Sequence, residues 1–304
     1  MGVKLVDLAT SLGLDSSTVS RALRDDATVH PNTRVRVKAE ALRLGYQPHA
    51  GARALAEGRS RTYWFLLPTM DTPVEREPAS WASKYLLERG YDLLVAQHHN
   101  DAGVYARLLA RLSSGTADGA IVIPHRGSGN SPEARVLGAG VPLVFLDRHV
   151  PGVDAPLMTT DNAGAVADAL RLLGPLSWVL DGFVPELNTV EAERSRGLRE
   201  AASRLGIPVL VGLPGSATRT TRPAGVGALF TTGQQGALDW APQSSSPSSA
   251  VVFDAWTGPV WPFQNVRVLY QDFRSMGETA AEALLAGAGA QVSRQLPLLK
   301  VVSM

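Results

Sequence analysis

Six polar side chains within nine residues could contact nucleic acid: Ser16, Ser17, Thr18, Ser20, Arg21 and Arg24. Serine and threonine are mediocre helix formers, so their concentration here does not serve helix stability. An arginine can donate two hydrogen bonds to guanine N7 and O6, and a small hydroxyl can reach a phosphate or a base edge. On the outer face of a helix, these residues predict a surface that reads the DNA major groove. An ordinary solvated helix is the alternative.

A second set of residues could bind a hydroxyl-rich small molecule: Asp147, Arg194, Asp254 and Trp256. Three of them follow apolar runs that predict strands, and ligands of open parallel sheets bind beyond the carboxyl ends of strands. Carboxylates and an arginine fix hydroxyl groups by hydrogen bonds, and an aromatic ring can stack on the apolar face of a sugar. Each residue alone could equally be a helix cap or a salt-bridge partner, but together they favour a pocket.

No convincing catalytic or metal site competes with these two sets. The chain has no cysteine, which excludes thiolate zinc sites and cysteine nucleophiles. It has neither a glycine-rich phosphate loop followed by Lys-Ser/Thr nor a Gly-x-Ser-x-Gly nucleophile elbow. The pair His98-His99 lacks a third ligand at a useful spacing. We therefore expect no catalytic residue, no cofactor and no metal.

The element that presents the first set is predicted to be the second helix of a helix-turn-helix. A first helix is indicated by one apolar stripe at helical spacing, formed by Leu5, Leu8, Ala9 and Leu12. Gly13 ends it. The second helix is predicted from Ser16 to Leu23, with Asp15 as an N-cap whose carboxylate reaches the amide three residues on. Its inward residues are Val19, Ala22 and Leu23.

A third helix is predicted to begin at Pro31, a residue suited to the first helical position, and to end at Leu44 before Gly45. Its core stripe is predicted to be Val35, Ala39 and Leu42.

After residue 61 the pattern alternates between apolar strands and helices. Strands are predicted at 63–67, 92–96, 119–123 and 141–146, and in a second set at 177–180, 208–211, 226–230 and 250–253. Helices are predicted at 82–89, 103–112, 163–173 and 191–205. This alternation predicts two parallel sheets, each covered by helices on both faces.

Length and charge fit a small basic domain joined to a larger one. The 304 residues suit about two domains. Residues 1–61 hold ten basic and six acidic side chains, and the remaining 243 hold 19 basic and 22 acidic. A basic N-terminal part joined to a mildly acidic remainder indicates a nucleic-acid-binding module. A chance excess of solvated arginines is the alternative. There is no apolar run of about 18 residues and no apolar signal segment, so we expect a cytoplasmic protein that does not enter membranes.

The sequence resembles the lactose-repressor (LacI/GalR) family of bacterial transcription regulators. Four segments carry the resemblance: 4–9 (KLVDLA), 17–23 (STVSRAL), 44–56 (LGYQPHAGARALA) and 270–277 (YQDFRSMG). The resemblance implies an N-terminal all-α helix-turn-helix domain followed by an α/β periplasmic-binding-protein-like sensor with two parallel-sheet subdomains. It also implies an effector cleft between those subdomains. The effector contacts that it implies are Asp147, Arg194 and Asp254, together with Phe273.

The resemblance further implies a hinge helix that pairs with its dimer mate in the minor groove, where the residue matching Leu55 wedges between bases and bends the duplex. One or two helical turns at 50–57 are too short to be stable in water, so this segment should fold only when docked. A flexible linker is the alternative. The remaining candidate DNA contacts are His30, Thr33, His49 and Ala52.

These features predict three parts: a DNA-binding domain at 1–48, a hinge at 49–61 and a sensor at 62–304. The sensor is expected to divide into an N-subdomain, 62–157 with 273–296, and a C-subdomain, 158–272 with 297–304. We expect a neutral mono- or disaccharide to bind between them, with Trp256 or Phe273 stacked on it, and closure to change the spacing of the hinges.

One segment departs from the family pattern. Relatives usually have Ala-Asn-Asp where this chain reads Thr231-Thr232-Gly233-Gln234. Gly233 removes the asparagine side chain that usually reaches the effector, and Gln234 replaces an acid. Either the effector differs from a typical sugar or the sensing site is partly degenerate.

The sequence as a whole predicts a dimeric regulator, more often a repressor in such a family, that binds a pseudo-palindromic operator in double-stranded DNA. The dimer is expected to pair along helices near 79–89 and 276–285. No heptad segment follows residues 299–304, so we expect no tetramer. The alternatives are a carbohydrate-binding protein without a regulatory role and an α/β enzyme.

Overall fold

The computed structural model describes residues 3–47, 58–127, 132–184, 187–211, 225–232, 237, 249–254, 263–287 and 293–303. The chain divides into two compact units, residues 1–60 and 61–304. We call them the N-terminal unit and the C-terminal unit and describe each by itself. No described helix combines the length and apolar character needed to cross a membrane.

The described residues of the N-terminal unit contain three helices, α1 (Leu5–Leu12), α2 (Ser16–Leu23) and α3 (Pro31–Leu44). Glycines in the left-handed conformation, Gly13 and Gly45, follow α1 and α3, as expected for helix C-caps. The helices enclose one small core, to which Leu8, Val19 and Val37 contribute fully buried side chains. The predicted bounds of all three helices are confirmed.

Two details of the sequence prediction for this unit are wrong. The core stripe of α3 is Val37 and Ala41, whereas the predicted Val35, Ala39 and Leu42 are all exposed, Val35 by 68% and Leu42 by 85%. Helix α3 carries two overlapping apolar stripes, and packing against α1 and α2 buries the one that local spacing did not favour. The Asp15 carboxylate accepts no backbone cap bond; instead it accepts a 3.5 Å bond from the Thr18 hydroxyl.

The part of the C-terminal unit that the structure describes contains two six-stranded sheets. The first sheet has the order β11-β5-β4-β3-β1-β2, and all its described pairs are parallel. Its strands are β1 (Thr62–Leu67), β2 (Asp92–Gln97), β3 (Ala120–Val122), β4 (Leu143–Leu146), β5 (Leu157–Thr160) and β11 (Arg294–Leu296). Its helices are α4 (Pro73–Leu87), α5 (Ala102–Arg111), which continues into a π-helical turn (Leu112–Thr116), α6 (Pro132–Gly138) and α9 (Phe273–Ala286). We call this part the first subdomain.

The second sheet has the order β12-β10-β9-β8-β6-β7, with only the β10–β12 pair antiparallel among its described pairs. Its strands are β6 (Trp178–Asp181), β7 (Val209–Val211), β8 (Gly227–Thr232), β9 (Ser249–Phe253), β10 (Asn265–Gln271) and β12 (Leu298–Ser303). Its helices are α7 (Asn162–Leu172) and α8 (Thr189–Arg204). We call this part the second subdomain.

Alternation of side chains along the strands explains why each sheet is covered on both faces. In β1, Phe65 and Leu67 pack with α4 and α9, while Trp64 and Leu66 pack with α5 and α6 on the opposite face. Strands buried on both faces read as continuous apolar runs, which is what made them visible in the sequence.

Helix α4 begins nine residues before its predicted start at residue 82. Its first residue is Pro73, which needs no amide donor there, and a second proline, Pro78, lies inside the helix. The sequence pattern did not indicate α6, β5, β10, β11 or β12. Strand β5 (Leu157–Thr160) lies in the first sheet, so the chain first crosses to the second subdomain at residue 161.

The described chain crosses between the subdomains three times, after β5, β10 and β11. These crossings are hydrogen-bonded to one another. The amide of Asp161 donates to the carbonyl of Leu296 at 2.9 Å, and the Thr160 hydroxyl donates to Gln271 Oε1 at 2.5 Å.

A glycine allows close helix packing in each subdomain. A Cβ atom on Gly277 of α9 would lie 2.3 Å from the carbonyl oxygen of Pro78 in α4. A Cβ atom on Gly197 of α8 would lie 2.6 Å from Cα of Ala163 in α7. Only glycine fits at these two contacts without a shift of the backbone.

Candidate functional site

The polar face of α2 is the candidate nucleic-acid surface of the N-terminal unit. Ser17, Arg21 and Arg24 are exposed, while Ser16, Thr18 and Ser20 are half-buried. Val19 and Ala22 anchor the opposite face in the core, so the exposed side chains stand on a fixed helix. The Nε atom of Arg21 donates to the Ser17 carbonyl at 3.4 Å. This arrangement can offer guanidinium and hydroxyl donors to a groove.

The other predicted DNA contacts are only partly described. His30 is exposed and caps α3, because its Nδ1 accepts a hydrogen bond from the Asn32 amide at 3.3 Å. Thr33 follows in the first turn of α3 and is half-buried. The remaining three, His49, Ala52 and Leu55, lie outside the described residues.

Two aspartates occupy equivalent positions in the two sheets of the C-terminal unit. Asp147 follows β4 and Asp254 follows β9, and both adopt positive φ, 68° and 78°. Aspartate tolerates this left-handed conformation better than most residues. The backbone amide of each aspartate donates a hydrogen bond to the neighbouring strand. The Asp147 amide donates to the Met158 carbonyl at 2.8 Å, and the Asp254 amide donates to the Leu269 carbonyl at 3.0 Å.

Arg194 is the largest fully buried side chain among the described residues, at 2% exposed. Its Nε donates to Asn162 Oδ1 and its Nη1 donates to Thr232 Oγ1, both at 2.8 Å. Its guanidinium lies 3.6 Å from the centre of the Phe253 ring. Contacts from α7, β8 and β9 therefore hold a buried positive charge in one orientation.

Asp254 lies close enough to Arg194 and Asp147 to respond to their charges. Burial raises the pKa of its carboxyl to about 6, although the Arg194 charge and a hydrogen bond from Gln271 work in the opposite direction. Gln271 Nε2 donates to Asp254 Oδ1 at 2.5 Å. Because Gln271 also accepts from Thr160, the carboxyl is connected to two of the crossings between the subdomains.

A third buried carboxyl, Glu75, was not predicted. It lies in the first turn of α4, is 5% exposed and accepts a hydrogen bond from the Thr72 hydroxyl. Burial and the negative charge of Asp147 raise its pKa to about 7. The sequence pattern places no helix here, so nothing marked this residue as buried.

Arg148 completes the described polar cluster. Its Nε donates to Asp147 Oδ2 at 3.0 Å, and both side chains are buried. Glu75 is within electrostatic range of Asp147, Arg148 and Asp254, and Asp254 is within range of Arg194, so the three predicted residues form one cluster with Glu75 and Arg148. Buried carboxylates and guanidinium groups held in this way can bind hydroxyl or acidic groups of a ligand.

One predicted ligand contact, Phe273, is not part of this cluster. Phe273 is 5% exposed and packs with Phe65, Leu67 and Met276 in the core of the first subdomain. Trp256 lies outside the described residues, as do Gly233 and Gln234 of the segment that departs from the family pattern.

Known proteins resemble this chain in sequence, although no family model matches it. It is 30% identical over 217 residues to the HTH-type transcriptional regulator AglR of Rhizobium meliloti (strain 1021), covering 68% of this chain and 60% of that protein. It is 32% identical over 168 residues to the ribose operon repressor of Bacillus subtilis (strain 168), covering 55% of this chain and 49% of that protein. The chain thus spans about half to three fifths of the length of these relatives.

The fold resembles that of solved transcription regulators. The structure of the lac repressor dimer bound to operator and the anti-inducer ONPF matches with a TM-score of 0.77 at 19% identity, covering 99% of this chain and 98% of that one. The match confirms the predicted fold, a helix-turn-helix domain followed by a periplasmic-binding-protein-like α/β part with two mostly parallel sheets.

Proposed function

Since the chain is homologous to transcription regulators of the lactose-repressor (LacI/GalR) family and shares their fold, we propose that it is a sequence-specific DNA-binding regulator. The observation that carries this proposal is the α2 surface, where Arg21 and Arg24 stand exposed on a helix anchored by its apolar face. The protein acts as a repressor, as a homodimer on a pseudo-palindromic operator in the cytoplasm, and is not an enzyme.

A small-molecule effector controls the regulator by binding between the two subdomains. The buried cluster of Asp147, Arg194 and Asp254 supports this part of the proposal, because a sugar presents hydroxyl groups to carboxylates and guanidinium groups. The name of the Bacillus subtilis relative connects that protein with ribose. The effector of this chain is accordingly a sugar or a sugar derivative.

Selection of bound duplexes from a random DNA library tests the DNA-binding function. We expect enrichment of a sequence with two half-sites. The affinity for the enriched duplex should fall steeply as the salt concentration rises, as for any protein that contacts phosphates. Enrichment of no sequence would contradict the proposal and leave a carbohydrate-binding protein. Turnover of a bound sugar would favour the α/β enzyme instead.

Arg21→Ala tests whether α2 reads bases. The variant should lose roughly 1–3 kcal/mol on the selected duplex and tolerate more bases at one position of each half-site, because a bidentate contact is removed. Arg43→Ala is the matched control, since Arg43 is exposed on α3 in an ion pair with Glu40. Fluorescence anisotropy on selected and random duplexes measures both. Equal losses on the two duplexes would show that Arg21 contacts phosphate only.

A further inference from the structure

The first crossing between the subdomains, residues 159–162, is hydrogen-bonded to a carboxyl of the proposed effector site. The Thr160 hydroxyl donates to Gln271 Oε1 at 2.5 Å, and Gln271 Nε2 donates to Asp254 Oδ1 at 2.5 Å. All three side chains are buried. A continuous buried chain of hydrogen bonds therefore joins the end of β5, in the first subdomain, to the end of β9, in the second.

The chemistry of its two ends fixes the direction of this chain. An ionised carboxylate can only accept hydrogen bonds, so the amide nitrogen of Gln271 must face Asp254. The amide oxygen of Gln271 then faces Thr160, whose hydroxyl donates to it. Because the glutamine cannot turn over while Asp254 is charged, it holds the carboxyl and the crossing at one separation.

A second connection reaches the same crossing from Arg194. Arg194 Nε donates to Asn162 Oδ1 at 2.8 Å, and Asn162 Nδ2 donates to the Thr160 carbonyl oxygen at 3.0 Å. Asn162 is 1% exposed. The buried guanidinium and the buried carboxyl of the second subdomain are thus each joined to Thr160 through one intervening side chain.

The crossing is also joined to the first subdomain and to the third crossing. The Thr159 hydroxyl donates to the Asp147 carbonyl oxygen at 2.7 Å, and the Asp161 amide donates to the Leu296 carbonyl at 2.9 Å. A buried polar group that loses its partner is costly, so a shift of one bonded group should displace the others with it. Since the crossing is a covalent connection between the subdomains, its displacement would change the angle between them.

We propose that Thr160, Gln271 and Asn162 are positioning residues that transmit effector binding at Arg194 and Asp254 to the angle between the subdomains, and through that angle to the affinity for DNA. The inference rests on the proposed function, because it assigns the transmission step of an effector-controlled regulator. The three residues act through their bonds to one another and not by touching the effector. Removing a bond between them should therefore leave effector affinity intact and weaken the effect of the effector on DNA binding.

Thr160→Val tests the inference, because valine has the same branched shape and lacks only the hydroxyl that bonds Gln271. Calorimetry on the full-length parent with ribose, glucose, cellobiose and fructose 1-phosphate identifies the tightest of these ligands, which serves as the probe. Fluorescence anisotropy on the selected duplex, with and without the probe, measures the coupling factor, by which the probe changes the affinity for DNA. Such factors are typically about 5–150. We expect Thr160→Val to reduce the factor by about threefold or more, the lower end of a net hydrogen-bond contribution, and to change probe affinity by less than about twofold.

Thr160→Ser keeps a hydroxyl at this position and should keep the coupling factor of the parent. Ser195→Ala is the matched control, since it removes a buried hydroxyl that donates to Asp181 Oδ2 at 2.7 Å within the second subdomain. It should leave the factor unchanged. Gln271→Met interrupts the same chain from its other side and should lower the factor, so it decides the question if Thr160→Val does not fold. Asn162→Asp keeps an acceptor for the arginine but loses the donor to the crossing, and should lower the factor as well.

A coupling factor that stays at the parent value in Thr160→Val and Gln271→Met would overturn the inference. So would a factor that Thr160→Ser fails to keep, or probe affinity that falls as far as the factor does, which would make these residues part of the binding site. Specific DNA binding by a parent that binds none of the four ligands, or that binds one without any change in DNA affinity, refutes the transmission role and leaves the DNA-binding function standing. Enrichment of no duplex refutes the regulator, and the transmission role with it.

Discussion

At the scale of single residues, the guanidinium of Arg194 is held in one orientation by its protein contacts alone. Its two hydrogen bonds and its contact with the Phe253 ring are all made by side chains of the second subdomain. A ligand that meets this guanidinium therefore does not have to order it, which lowers the entropic cost of binding. The fixed orientation also makes lysine a poor replacement, because an ammonium cannot reproduce the planar fork.

Arg194→Lys should therefore weaken binding of the effector by about tenfold or more, corresponding to about 1.4 kcal/mol. Arg196→Lys, a change of an exposed neighbour on the same helix, is the control. Calorimetry across a panel of neutral and anionic sugars measures the effect. Unchanged affinity in Arg194→Lys would place the pocket elsewhere.

Glu75 gives the stability of the protein a pH dependence. Its pKa is raised from 4.5 to about 7 in the folded protein, so the folded state keeps a proton that the unfolded chain has already lost. Stability should consequently fall as pH rises between these values. Asp254 acts in the same direction between 3.8 and about 6.

Glu75→Gln should remove most of this fall. We expect the variant to be about 1–3 kcal/mol more stable than the parent near pH 8 and similar to it below about pH 5, by the linkage of proton binding to folding. Urea unfolding at several pH values measures the difference. Glu77→Gln, a change of an exposed carboxyl on the same helix, should follow the parent curve. Parallel curves for Glu75→Gln and the parent would contradict the prediction.

Part of the candidate site could be predicted because its residues follow recognisable strands. Asp147 and Asp254 each come directly after a continuous apolar run, and the rule for parallel sheets then places them at the ligand edge. Glu75 and Gln271 could not be found in this way. Glu75 lies in helix α4, whose first residue is a proline, and Gln271 ends strand β10, which was missed. Their burial depends on tertiary packing and leaves no local pattern.

At the scale of elements, several errors arise where local spacing is ambiguous or the element is too short to show a period. Helix α3 has two apolar stripes, and local spacing cannot decide which one its neighbours will bury. Strand β5 has four residues, LMTT, and β11 has three, RQL, so neither carries a period that could be recognised. Strand β1, which has six residues and is buried on both faces, was predicted correctly, whereas the seven-residue β10 was missed.

Gly277→Ala should destabilise the C-terminal unit by about 1–3 kcal/mol, because the added methyl group would force α9 away from α4. Gly138→Ala is the matched control. Gly138 ends α6, has no atom within 4 Å of the added Cβ, and should be neutral or stabilising by about 0.4–1 kcal/mol. Thermal unfolding compares the two variants. Equal melting temperatures would mean that α4 and α9 can separate without cost.

At the scale of the whole molecule, two half-sites in an operator require two copies of the chain. We expect a dimer at micromolar concentration. Leu87, at the end of α4 within the predicted pairing segment, is 66% exposed, so its side chain is accessible to a second copy.

Leu87→Glu should shift the protein from dimer to monomer, because it places a charge in the proposed interface. Leu172→Glu, at a 53% exposed position on α7, is the control and should remain dimeric. Light scattering over a range of concentrations distinguishes the two species. A stable monomer of the parent chain, or a dimer that Leu87→Glu leaves intact, would contradict the proposed pairing.

The equivalent positions of Asp147 and Asp254 point to a common origin of the two sheets. The two sheets share one strand order once β1–β5 are matched with β6–β10, and β11 and β12 then occupy the same outer position. Tandem duplication of one ancestral half would leave this relation, with the last strands added after the copies joined. Superposition of the halves should then bring Asp147 onto Asp254. The proposed ligand site would then have arisen from two copies of one ancestral strand end, before either copy specialised.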